Sequence, residues 1–321
     1  MHTLTKKESN DMVAHKRGMR LMGSFFVITV VAGSVNEADE HIDAAVAEIS
    51  RIESLLTTFR DTSQVNDINR QAGIAPVQVD REVFDLVTRS VRISELTQGA
   101  FDITYGSVDT RFWNFDTTMT ALPDRETAKA AVRLINYRNV VLDGTNSTIF
   151  LKHTGMRIGF GGIGKGYAAE QAKRLLINRG IQAGVVNASG DLAAWGYQPD
   201  GSSWTIGIAD PDNRWLPFSS IAITGMAVAT SGNYEKFVEI AGKRYSHTID
   251  PKTGFPVSGI KSVTIICSNA ELADALTTPV TIMGVEAGLD MINQMRDIAC
   301  IIIDDDGRIF TSNNIKLAVD A

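Results

Sequence analysis

A chain of 321 residues, 44% hydrophobic and 21% charged, carries enough apolar material for a large core and sits near the average for folded domains, which excludes disorder and fibrous repeats. Its formal charge of −6, with Lys and Arg dispersed, argues against a nucleic-acid surface. An anionic ligand would need a local cation, a lysine or backbone amides. Cys267 and Cys300 lie in apolar, strand-like runs and read as buried thiols.

Residues 1–15 are polar and aperiodic, which predicts a loose arm ahead of one domain over 16–321. The run from Leu21 to Gly33 follows Lys16, Arg17 and Arg20 as a signal peptide would, but its β-branched Val27 to Val31 suit a buried strand and it is too short to span a bilayer. A cytoplasmic location is therefore expected. Ile42, Ala45, Val46, Ile49, Ile52, Leu55 and Leu56 repeat at helical spacing behind Asn36, the predicted cap. A second helix follows Asp80 and stops before Gly99; a third runs from Pro123 to about Asn136. Val140 to Leu142 and Thr148 to Leu151 predict a hairpin, and a fourth helix spans Lys165 to Gly180.

Strands then dominate, at Val185–Ala188, Trp204–Ile208, Ser220–Ile223, Phe237–Ile240 and Val263–Cys267. Helices over Ala270–Met283 and Val285–Met295 precede a closing hairpin around Asp306-Gly307. The irregular alternation and frequent hairpins predict a single α+β domain with antiparallel sheets flanked by helices.

Three stretches carry chemistry. Gly159-Phe160-Gly161-Gly162-Ile163-Gly164-Lys165-Gly166 runs from a strand into a helix; it is either a plain tight turn or a place where backbone amides and Lys165 meet an anion. Asp274 and Thr278 are four apart and share a helix face, so they are either solvated or two hard oxygen ligands suited to Mg²⁺. Pro279 frees a carbonyl beside them. In the third, Thr230-Ser231-Gly232-Asn233-Tyr234 precedes Ser246-His247-Thr248 and Asp250-Pro251, where His247 is either a structural group or a proton acceptor near neutral pH.

Taken together, these stretches resemble the ApbE family of FAD:protein FMN transferases, nearly end to end. Met22-Gly23-Ser24 is similar to the family's N-terminal Met-Gly-Thr. Phe59-Arg60 with Ser63 follows, then Gly99-Ala100-Phe101-Asp102-Ile103-Thr104 with Trp113 and Phe115 behind it. The glycine-rich turn, Asn187 with Gly190-Asp191, Thr230-Ser231-Gly232, Ser246-His247 and Ala273-Asp274-Ala275-Leu276 complete the order. The resemblance implies an extended FAD cleft with Mg²⁺ on the pyrophosphate, held by Asp274, Thr278 and the carbonyls of Gly162 and Thr277. It implies that Met22, Phe59, Ala100, Phe101, Asp102, Gly159, Lys165 and Thr248 contact FAD, with Asp102 on the adenine side, and that His247 takes the proton of an incoming Ser or Thr hydroxyl on a target flavoprotein. AMP would leave.

The chain departs from the family pattern at Gly159, where Asp is usual, at Gly164, where Ala is common, and at Ser189, the first glycine of a Gly-Gly-Asp turn. Pro279 and Phe59 also differ, the latter standing where Tyr is common. Two other activities suit the same residues: an FAD pyrophosphatase, with water attacking, and a flavin-binding protein without catalysis.

Overall fold

The computed structural model describes residues 12–109, 121–209, 217–232 and 237–315; Trp113, Phe115, Asn233, Tyr234 and residues 1–11 of the predicted arm lie outside them. The chain opens with a hairpin of β1 (Val13–Leu21) and β2 (Ser24–Ala32), then α1 (Val35–Leu56), the short α2 (Gln64–Arg70), β3 (Val77–Gln78) and α3 (Arg81–Leu96). A 3-10 turn at Ile103–Ser107 precedes α4 (Arg125–Ala131), the hairpin β4 (Val140–Asp143) and β5 (Thr148–Leu151), and α5 (Gly164–Asn178). Next come β6 (Gly184–Ala188), β7 (Asp191–Trp195), β8 (Trp204–Ala209), β9 (Pro217–Ile223), β10 (Ala227–Gly232), β11 (Phe237–Ile240), β12 (Lys243–Ser246) and β13 (Ile260–Cys267). The last elements are α6 (Ala270–Met283), α7 (Val285–Asn293), β14 (Ala299–Asp304) and β15 (Ile309–Thr311).

Eight strands form the main sheet in the order β1-β2-β6-β7-β10-β13-β14-β15, paired antiparallel throughout. Period-2 alternation sends Phe26, Ile28 and Val30 of β2 into one core, where the Ile42, Ala45, Ile49 and Ile52 stripe of α1 meets them. Val31 points to the other face and packs with Val185, Trp204 and Ile223. One face of the sheet thus carries a layer of α1, α5, α6 and α7, and the β8–β9 hairpin packs against the other. This is the predicted α+β architecture.

Several boundaries differ from the sequence reading, three of them informatively. The arm ends sooner, because Val13 to His15 already pair with Val30 to Ala32. The cap of α1 is Ser34, whose side chain accepts from the Glu37 N–H at 3.2 Å, instead of Asn36. The third helix stops at Ala131, short of Asn136; the N–H groups of Asn136 and Tyr137 donate instead to Thr104 Oγ1 and Asp102 Oδ2, at 2.8 and 3.0 Å.

Candidate active site

The glycine-rich turn enters α5 without a side-chain cap of its own. Asp274, one helix over on α6, supplies the cap: its Oδ2 accepts from the Gly166 N–H at 2.9 Å, in the first turn of α5. The two helices approach closely only because residue 166 lacks a side chain. A Cβ there would stand 2.2 Å from the Ala270 carbonyl oxygen and 2.6 Å from Asp274 Cβ. Beside this contact Lys165 Nζ pairs with the buried carboxylate of Asp191, which sits at the start of β7.

Two buried carboxylates therefore face one lysine. Burial, then the neighbouring Asp191 charge, pushes the Asp274 carboxyl up to about 8, against the pull of Lys165 and the α5 amides. Burial likewise raises Asp191. Two carboxylates against a single lysine leave this corner short of positive charge, and its ligand atoms are hard oxygens. Thr278 Oγ1 lies 3.5 Å from where a Cβ of Gly162 would be, so the hydroxyl, the Gly162 backbone and Asp274 flank the same turn. This set fits Mg²⁺, which takes few protein oxygens and completes its shell with water and phosphate. Among the described residues no group of three or more His, Cys, Asp or Glu suited to a metal occurs, so a cation here would depend on that mixed set. Thr277 is turned inward: its hydroxyl donates to the Asp274 carbonyl at 2.8 Å, and its own carbonyl accepts from Thr281 Oγ1 at 2.9 Å.

Two cavities meet at the turn. The first, about 630 Å³, is lined by Met22, Phe59, Gly159 and Lys165, joined by Glu53, Arg60, Arg157 and Phe160. The second, about 360 Å³, is lined by Ala100, Phe101, Asp102, Gly162, His247, Thr248 and Thr278, joined by Tyr105. Gly106, Gly159 and Gly161 border both, so the cavities form one long groove divided by a saddle of glycine backbone.

Individual side chains are held by their own local chemistry. Met22 sits at φ 52° in the β1–β2 turn, and its N–H donates to Glu53 Oε2 at 3.0 Å. Phe59 is 97% exposed, a bare aromatic ring on the rim of the first cavity. The Asp102 carboxylate is largely occupied by the fold, accepting from Thr104 N–H and Oγ1 and from Tyr137 N–H at 2.8, 2.6 and 3.0 Å. Three of its roughly four lone-pair sites are used, leaving one for a ligand. His247 is exposed at the end of β12, in a loop tied down on both sides: Ser246 N–H donates to the Val257 carbonyl at 2.8 Å and Ile249 N–H to the Tyr105 hydroxyl at 2.9 Å.

The structure thus brings together residues from the β1–β2 turn, the Phe59 loop, the 3-10 turn, the glycine-rich turn, the His247 loop and α6. Sequence reasoning did not single out Glu53, Tyr105 or Arg157. Glu53 falls on the polar face of α1 and Arg157 in an irregular stretch, where either reads as a solvated charge. Tyr105 carried no periodic signal at all.

Fold, groove and relatives agree on one class: the chain is an α+β transferase. It belongs to the ApbE family, whose model matches residues 22–302. It is similar to an FAD:protein FMN transferase of Klebsiella pneumoniae strain 342, with 34% identity over 283 residues, 87% of each chain. The crystal structure of the ApbE protein of Thermotoga maritima superposes with a TM-score of 0.84 at 30% identity, covering 94% of this chain and 97% of that one. The apo flavinyl transferase ApbE of Pseudomonas stutzeri gives 0.82 at 27% identity, covering 94% and 95%.

Proposed function

We propose that the chain moves the FMN half of FAD to a Ser or Thr hydroxyl of an acceptor flavoprotein, with Mg²⁺ on the pyrophosphate and AMP as the leaving group. The observation that carries this reading is Gly161. It has no left-handed backbone, and a Cβ built on it meets no atom within 4 Å. Nothing inside the fold requires glycine at this position, whereas a ligand crossing the saddle does, because only bare backbone permits so close an approach. A dinucleotide has the matching shape, with two ringed halves joined by a thin anionic bridge.

The isoalloxazine occupies the first cavity against Met22 and the Phe59 ring, and the adenosine half occupies the second, beside Ala100, Phe101, Asp102 and Thr248. Lys165 and the α5 N-terminus receive the bridge, and Asp191 orients Lys165. Asp274, Thr278 and the Gly162 carbonyl would hold the cation, which when bound supplies charge neutralisation and Lewis acidity at the bridge. His247 accepts the hydroxyl proton as the acceptor oxygen bonds the FMN phosphorus. The bridging P–O bond breaks and its electrons leave with AMP. Positioning and charge balance suffice for such a transfer; no covalent intermediate on the chain is required.

The direct test incubates the chain with FAD, Mg²⁺ and a candidate flavoprotein, then weighs the acceptor. A mass gain of one FMN with matching AMP is the expected result. Free FMN and AMP over an unmodified acceptor would identify a pyrophosphatase, and FAD that survives intact would identify a binding protein.

A further inference from the structure

The second cavity contains a hydrogen-bond donor that finds no acceptor among the described residues. Tyr105 lines that cavity with Asp102, His247 and Thr248, and its ring packs beside Ala128, Val132 and Ile249. Its hydroxyl oxygen accepts from the Ile249 N–H at 2.9 Å. A phenol can donate as well as accept, yet among the described residues nothing takes the Tyr105 proton. Burial raises its pKa, so the proton stays in place through neutral pH. Tyr105 is only partly buried and lines the cavity, where a ligand can take that proton.

We propose that Tyr105 is a binding residue whose hydroxyl donates to an acceptor atom of the adenosine half of FAD, while the same oxygen ties the His247–Thr248 loop through Ile249. This assignment rests on the dinucleotide reading above. The neighbouring Asp102 carboxylate, with one lone pair left, supplies the opposite polarity. A donor and an acceptor on one wall suit an adenine edge, which offers an amino group beside ring nitrogens.

Two roles must be separated, because Tyr105→Phe removes both the contact to the ligand and the anchor for Ile249. Replacing Tyr105 with 3-fluorotyrosine separates them by sign: the more acidic phenol is a better donor and a poorer acceptor. AMP alone probes the second cavity and FMN alone the first, both by calorimetric titration. Tyr105→Phe is expected to weaken AMP about three- to tenfold and leave FMN within about twofold, the range for loss of one hydrogen bond. The 3-fluorotyrosine protein is expected to bind AMP more tightly than wild type, and equal affinity counts against the contact. Unchanged AMP affinity in Tyr105→Phe overturns the proposal, and so does weakening by 3-fluorotyrosine, which would reduce Tyr105 to a loop anchor. If Tyr105→Phe fails to fold, the 3-fluorotyrosine result decides alone. A wild-type protein that binds neither AMP nor FAD sinks the dinucleotide reading as well, whereas wild-type binding matched by both variants removes Tyr105 only.

Discussion

The Gly166 N–H donates to the Asp274 carboxylate at 2.9 Å, and the same glycine lets α5 and α6 come close enough for that bond to exist. One residue therefore sets both the helix packing and the position of the buried carboxylate. A methyl group at 166 has nowhere to go, since the atoms it would strike are the Ala270 backbone and Asp274 itself. Gly166→Ala is expected to destabilise the fold by about 1–3 kcal/mol, as overpacked sites do, and to weaken Mg²⁺ binding more than FMN binding. Urea unfolding and parallel titrations check both. Normal stability with normal Mg²⁺ affinity would contradict the packing argument.

Asp274 also imposes a pH dependence. Its carboxyl ionises at about 8 in the folded chain, against about 3.9 when unfolded. Between these values the folded state holds the extra proton. Stability from this group is full below about 4 and is lost as pH rises through 8. Buried Asp191, shifted the same way, adds to the decline. In metal-free buffer, wild type is expected to lose stability between pH 5 and 9 more steeply than Asp274→Asn. Added Mg²⁺ should restore the wild type at high pH and leave the variant unmoved. Parallel pH profiles for the two proteins would argue against the shift.

Much of this site was legible before the fold was known, and what was not has physical causes. The α1 stripe, the α6 span and the glycine turn into α5 are local patterns, which sequence records directly. Strands β7 and β10 escaped because Ala193, Ala194, Ala227 and Ala229 are buried and small, so they show neither alternation nor bulk. Strand β1 escaped for the opposite reason: an edge strand carrying His15, Lys16, Arg17 and Arg20 resembles a polar arm. The Gly166–Asp274 bond joins residues 108 positions apart, and no short-range pattern encodes it. Asp102 was legible as a candidate site residue, but its bond to the Tyr137 N–H was not, because that depends on Tyr137 arriving across the fold.

Ser189 gives a test of local strain. It stands at φ 57° and Gly190 at φ 105° in the β6–β7 turn, where Asn187 Oδ1 accepts from the Gly190 N–H at 2.8 Å. Left-handed backbone costs a residue with a Cβ about 1–2 kcal/mol, which is why glycine suits the position. Ser189→Gly is expected to gain a net ~0.5–1 kcal/mol, since glycine also loses more chain entropy on folding. That corresponds to a rise in Tm of about 1–3 °C for a chain of this size. Turnover should not change. A fall in Tm would show that the serine side chain is held by something worth more than the strain.

The two halves of the proposed reaction, holding FAD and moving a proton, should fail separately. A Cβ at Gly161 meets no protein atom, so Gly161→Ala is expected to fold with wild-type Tm yet lose FAD affinity about tenfold or more, because the methyl group occupies the saddle the bridge must cross. His247 is exposed at the cavity wall and lies outside the glycine saddle, so His247→Ala is expected to keep FAD affinity and lose about 10²- to 10⁴-fold in transfer rate, the range for removing a general base. Flavin-fluorescence titration reads the first quantity and acceptor mass the second. The pattern of the pair is diagnostic: if Gly161→Ala binds FAD normally, the dinucleotide does not cross the saddle, and if His247→Ala transfers at the wild-type rate, the proton leaves by another path.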